Sequence, residues 1–154
     1  MKTRAADYAS SMNPEEHYRR LERAYAVAAT NRYYQPVLRI SEGKAELTIP
    51  VRSDFFHAAG AVHGSVYFKA LDDSAFFAAN SLVFDVFVLT ASFNLWFTRP
   101  VSEGEVRATG VVVHRSANLI VADSLARDSS GRQVARGTGS FMRSRIPLGP
   151  EIGY

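Results

Sequence analysis

The sequence predicts an α+β domain in which one antiparallel sheet curves round a single long helix. Three observations predict it. Residues 64–80 read as a helix that is apolar on nearly every side, and such a helix is buried rather than laid on a surface. Strand-like runs flank it, two before and four after, and the last three are joined by turns of hairpin length. On the final run Ala135, Gly137 and Gly139 share one face, and small residues there leave room for another backbone to approach.

The elements follow in order. Residues 1–12 look like a loosely held end. Asn13-Pro14-Glu15-Glu16 is a helix start, with a capping side chain, a proline suited to the first helical position and two acids after it. The helix is expected to run to about Ala29, with Tyr18, Leu21, Tyr25 and Ala28 on one apolar stripe. Val37–Ile40 and the alternating run from Lys44 to Val51 make two strands around Glu42-Gly43. Residues 54–63 break the period, and the long helix begins at Gly64. A strand over 86–98 follows, with Phe87, Leu89, Phe93, Leu95 and Phe97 expected on one face and Val88, Thr90, Asn94 and Trp96 on the other. Strands over 105–115, 118–128 and 132–143 complete the set. The chain reads as one domain over 1–154, with a tail and helix at 1–34 and the core at 35–145. An all-antiparallel sheet leaves edges, so a homo-oligomer is expected, a dimer or a dimer of dimers.

Composition narrows the function classes. The chain has 154 residues, 47% of them apolar and 21% charged, which suits an ordinary globular domain. It has no cysteine, which excludes a disulfide framework, a Cys-based zinc site and a thiol nucleophile. The four histidines lack metal-ligand spacing, and no metal is expected. Net charge is +3 with scattered arginines, a poor nucleic-acid footprint. Neither a signal peptide nor a membrane span is read from the chain. A cytoplasmic location is therefore expected.

Two features carry chemistry. His63-Gly64 stands at the start of the long helix, where unpaired N–H groups and about half a positive charge are presented. Gly64 lets a substrate oxygen come close, as an oxyanion hole requires. Asp72 lies two turns into the same helix, in apolar surroundings where a carboxylate is costly unless it serves a site. Asp73 points about 100° away from it. The spacing pairs Lys69 with Asp73 and leaves Asp72 free, or pairs Lys69 with Asp72 instead.

The run from His57 to Ser65, followed by Asp72, resembles the motif of hotdog-fold acyl-CoA thioesterases of the phenylacetate-degradation type. Those proteins carry a polar residue, often Asn, six positions before a His-Gly-Gly, and an acid eight positions after the first Gly. His57 stands in the Asn position, Ser65 replaces the second Gly, and Thr90, Asn94 and Pro100 fall where the next strand of the family carries Ser or Thr, then Asn, then Pro. The resemblance spans roughly residues 37–143. It implies a hotdog fold, an acyl-CoA substrate, no cofactor beyond the CoA the substrate brings, and a site shared between subunits. The Gly64 N–H would hold the acyl carbonyl. Asp72 of the facing subunit would act as general base or as nucleophile, Thr90 would hold the water or the carboxylate, and the His57 imidazole could donate to the thioester oxygen or order a water. His63, Ser65, Asp73, Asn94, Arg115, Ser116 and Asn118 are the candidate substrate contacts, the last three for the nucleotide of CoA. A hydratase or dehydratase built on His57 and Asp72, and a non-catalytic acyl-CoA-binding protein, are the competing readings.

Overall fold

A computed structural model describes residues 12–154. The loosely held end expected at 1–12 lies almost wholly outside the described residues. Helix α1 spans Pro14–Val27, and the side chain of Asn13 caps it by accepting the Glu15 N–H at 3.0 Å. It ends before the expected Ala29, because Ala28 is extended. A four-residue helix, α2 at Asn31–Tyr34, follows and closes on Gln35 in the left-handed region, with φ 51°. The buried Asn31 side chain ties the two together by donating to Tyr25 O at 2.6 Å.

Strands β1 (Val37–Ser41) and β2 (Lys44–Pro50) form the first hairpin. Helix α3 spans Gly64–Asn80, the bounds expected from sequence. Strands β3 (Val86–Phe97), β4 (Glu105–Arg115), β5 (Leu119–Arg127) and β6 (Gln133–Pro147) complete one antiparallel sheet in the order β1-β2-β4-β5-β6-β3. The last strand runs four residues past its expected end. β1 and β3 are the sheet edges, and unpaired edges invite partners.

The sheet holds α3 by direct backbone contact. A Cβ placed at Gly110 of β4 would lie 2.2 Å from the carbonyl oxygen of Ser74, so the helix rests on β4 where no side chain intervenes. The Ser74 hydroxyl adds a bond to Ser124 on β5 at 2.7 Å. Around this contact Leu71, Ala75, Ala78 and Ala79 of the helix share the core with Leu47, Ile49, Val106 and Val134 of the sheet. Each such side chain contributes roughly 1–3 kcal/mol through removal from water.

One stripe of α3 departs from the expected burial. Gly64, Ser65, Phe68, Lys69, Asp72 and Asp73 are exposed or half-buried, with Phe68 41% exposed. Every polar or charged side chain of the helix apart from Ser74 and Asn80 lies on this stripe, which the sheet meets only at its β3 edge, through Thr90 on Asp72 and Phe93 on Phe68.

Strand β3 departs from the expected alternation. Val88 is fully buried and Leu89 is 49% exposed, on opposite faces as the sequence placed them. The register against β6 then slips between Thr90 and Ser92. A one-residue bulge reverses the parity of a strand. Thr90 before the bulge and Phe93 and Phe97 after it therefore all turn towards α3, where they meet Asp72, Phe68 and Tyr67. The glycines of β6 serve this arrangement. A Cβ at Gly137 or Gly139 would come within 2.5 Å of the Phe93 ring. The close approach they permit is mainly by an aromatic ring, and at Gly137 also by the backbone of β3, whose Asn94 carbonyl oxygen would lie 2.8 Å from the added Cβ.

Candidate active site

The loop before α3 is built from its own backbone. His57 N–H donates to Ala61 O and Gly60 N–H donates to His57 O, both at 2.9 Å, and Gly60 supplies the positive φ of 79° that the turn requires. His57 Nδ1 accepts the Ala59 N–H at 3.1 Å. His63 Nδ1 likewise accepts the Ser65 N–H at 3.1 Å and lies 2.8 Å from the Ser65 hydroxyl. His63 is thus the N-cap of α3. In both rings the loop occupies Nδ1, so the neutral imidazole carries its proton on Nε2 and can donate there. Both residues line a cavity of about 810 Å³, together with Gly64, Ser65 and Arg99 on the polar side and Val62, Tyr67, Phe68, Leu95 and Phe97 on the apolar side.

Gly64 opens the helix at this cavity. Its N–H makes no hydrogen bond among the described residues, as expected for the first residue of a helix. A Cβ at this position would sit 3.0 Å from the Phe97 ring, so a side chain would narrow the space beside that N–H.

Asp72 lies further along the same open stripe. The Thr90 hydroxyl donates to its Oδ1 at 3.0 Å. Burial pushes the carboxyl up from 3.8 to about 6 against the opposing pull of Thr90, with the Asp73 charge adding to the rise and Lys69 reducing it. Asp73 is engaged elsewhere, with Lys69 Nζ at 2.6 Å and the Tyr25 hydroxyl on the same oxygen. Of the two pairings open from sequence, the structure forms Lys69–Asp73.

A family model described as the thioesterase superfamily matches residues 59–135, half of the chain. The chain belongs to the thioesterase superfamily. The sheet wrapped on α3 is its hotdog fold. A Saccharolobus solfataricus protein with a provisional esterase name is 25% identical over 112 residues, covering 71% of this chain and 80% of that one. Among solved structures, the Escherichia coli PaaI protein from the phenylacetic acid degradation operon aligns with a TM-score of 0.79 at 20% identity, over 87% of this chain and 97% of that one. A phenylacetic acid degradation-related protein of Ralstonia eutropha aligns at 0.73 and 24% identity, over 82% and 98%. A conserved Pseudomonas aeruginosa protein aligns at 0.73 and 26% identity, over 79% and 98%.

Within one copy of the chain the site residues do not all meet. His57, His63, Gly64 and Ser65 share the cavity, and Thr90 meets Asp72. Gly64 and Asp72 are eight residues apart on one helix, about 12 Å at 1.5 Å per residue. Asn94 faces away from α3, beside Thr138 on β6. Arg115 and Ser116 line a separate cavity of about 460 Å³ with Val83 and Arg143, and Asn118 lies in the same exposed turn. Arg115 also donates to Leu82 O at 2.9 Å, just past the end of α3, which puts this group at the opposite end of the helix from Gly64. Among the described residues no group of three or more His, Asp or Glu stands close enough to hold a metal ion. Sequence reasoning passed over Phe97 as a wall of the cavity. It also passed over Ser65 as the partner of His63. The Phe97 orientation depends on the bulge, which no periodicity shows. The His63–Ser65 contact was legible as a two-residue spacing at a helix start.

Proposed function

We propose that the protein hydrolyses an acyl-CoA thioester with a short-chain or aromatic acyl group, in an oligomer that joins Gly64 of one subunit to Asp72 of another. The observation that carries this reading is the division of the machinery along one open helix stripe. An oxyanion donor and a raised carboxylate about 12 Å apart cannot serve one carbonyl, whereas two copies facing each other bring unlike ends together. The unpaired edge of β3, which carries Thr90, is the surface for that pairing.

The reaction follows from these groups. The acyl oxygen accepts the Gly64 N–H, and His57 Nε2–H stands in the same cavity as a second donor. Asp72 of the partner subunit takes a proton from water as the hydroxide oxygen attacks the acyl carbon. The negative charge collects on the oxygen at Gly64. It returns to the carbonyl as the C–S bond breaks, and the CoA thiolate takes the proton back from Asp72. The products are the free acid and CoA. Phe68, Phe97 and Tyr67 offer an aromatic wall for the acyl group. Single-turnover hydrolysis in H₂¹⁸O separates base from nucleophile: a base puts one ¹⁸O into the first acid released, whereas a nucleophilic Asp72 whose anhydride is opened by water at its own carboxyl carbon takes the label into Asp72 and leaves that acid with none.

Thiol release from a panel of acyl-CoAs, from acetyl to aromatic acyl, tests the reading. Gly64→Pro is the informative variant beside wild type. Proline is favoured at the first helical position, and His63 is extended, with φ −65° and ψ 146°, as a residue before proline should be. The change deletes the N–H and keeps the helix start while its ring presses on Phe97, so kcat falls by at least roughly 10²–10³-fold. Wild-type protein that hydrates an unsaturated acyl-CoA, or binds acyl-CoA and releases no thiol, would replace the hydrolase reading.

The pH dependence supplies a second test. The base works when ionised, and burial holds the Asp72 carboxyl at about 6. The kcat/KM of wild type therefore rises with pH through an acid limb near 6 and is lost below it. A limb near 4, where an ordinary carboxylate titrates, would count against Asp72 as the base.

A further inference from the structure

Helix α1 reaches the active-site stripe through a side chain that the reaction above does not use. The Tyr25 hydroxyl donates to Asp73 Oδ2, and Lys69 Nζ bonds the same oxygen at 2.6 Å. The ammonium also stands 5.2 Å from the centre of the Tyr25 ring and 5.1 Å from that of Tyr34 on α2. The Lys69 and Asp73 side chains are only 11% and 19% exposed, so solvent does little to screen them. Asp72 precedes Asp73 in the chain, yet its hydrogen bond comes from β3 on another side of the helix. Two adjacent carboxylates are thus divided, one turned to α1 and one to the β3 edge.

That division has an electrostatic consequence. Two like charges side by side hinder each other's ionisation, and an uncompensated Asp73 would oppose the charge that the base must carry. We propose that Lys69, Asp73 and Tyr25 form a positioning cluster that draws one carboxylate away and neutralises it, so that Asp72 alone serves the reaction. The proposal rests on the reading of Asp72 as the base. The groups facing Asp72 are few. On its own helix they are Lys69 and Asp73, from β3 the neutral Thr90 hydroxyl, and from α1 the Tyr25 phenol, which burial and Asp73 keep protonated.

The test is a double-mutant cycle read in two ways. The first readout is the acid limb of kcat/KM for acyl-CoA hydrolysis. The second is the titration of the Asp72 carboxyl carbon by NMR, which needs no turnover. Lys69→Met leaves Asp73 uncompensated, and both readouts move up by about one pH unit. Asp73→Asn removes the like charge, and both move down. The Lys69→Met/Asp73→Asn chain removes the pair together, which spares the fold the cost of an orphaned buried charge, and returns both readouts close to wild type. Single variants that lose rate with no movement of either limb, or that move it the same way, overturn the cluster. If wild type releases no thiol, the hydrolase reading fails by itself, and the carboxyl titrations still decide whether the cluster governs Asp72.

Discussion

Asp72→Asn lowers kcat for thioester hydrolysis by about 10²–10⁴-fold, the span of a lost general base, while the melting temperature holds or rises. The two halves of this expectation come from the same contact. Asparagine matches the shape of aspartate, and its amide oxygen can still accept the Thr90 hydroxyl that meets Asp72 at 3.0 Å. What disappears is a carboxylate whose burial disfavours its charge, so its removal relieves the folded state rather than weakening it. Parallel thiol-release assays and thermal melts check both parts. A stable variant with wild-type turnover would remove Asp72 from the mechanism. A variant that loses activity only because it melts early would make the residue structural.

Gly110→Ala is expected to be among the most damaging single changes in the chain, at a position that carries no reacting group. The new Cβ would sit 2.2 Å from Ser74 O, 2.3 Å from Ser74 C and 2.5 Å from Ala75 N. All three are backbone atoms in the middle of α3, and no rotamer can relieve them. The helix must move off β4, and the core layer around Leu71 and Ala75 opens with it. Overpacking of this kind costs about 3 kcal/mol or more, a large fraction of the stability of a domain this size. Gly60→Ala is the contrast. Its φ of 79° disfavours a side chain, but nothing lies within 4 Å of the added Cβ, so the cost stays near 1–2 kcal/mol. Urea midpoints for the two variants should keep that order. Equal midpoints would mean that the helix is not seated on Gly110.

Most of the fold was legible in the sequence, and the exceptions have physical reasons. The bounds of α3 followed from its apolar run and from Gly64, and the strand count followed from the hairpin turns. The faces of β3 did not follow, because apolar residues lie on both of them. Leu89 is exposed and Phe93 is turned inward, and only the bulge between Thr90 and Ser92 reconciles the two. The end of α1 falls short of Ala29 because the backbone turns extended at Ala28, and Asn31 beyond it is a buried clamp on Tyr25, neither of which apolar spacing shows. At the site, the His57–Ser65 motif and Asp72 stood out by residue type and spacing. The partner of Lys69 did not, since Lys69 can reach either acid from the same helix. The structure pairs it with Asp73, where the Tyr25 hydroxyl, from 48 positions earlier in the chain, bonds the same oxygen, a tertiary contact that local spacing cannot express.

If Gly64 and Asp72 act across subunits as proposed, the distance between them makes the catalytic unit divisible between molecules. On the two-copy reading, a Gly64→Pro chain still contributes a sound carboxylate, and an Asp72→Asn chain still contributes a sound oxyanion donor. Each is inert with its own kind. Unfolded together and refolded in equal amounts, they would assort at random, and half of the symmetric pairs would be mixed. Each mixed pair holds one intact site and one doubly broken one, so about a quarter of the wild-type rate would reappear from two dead preparations. Two lesions in the same chain would yield no such rescue with each other, and mixing that chain with wild type would leave every mixed pair one crippled site of each kind.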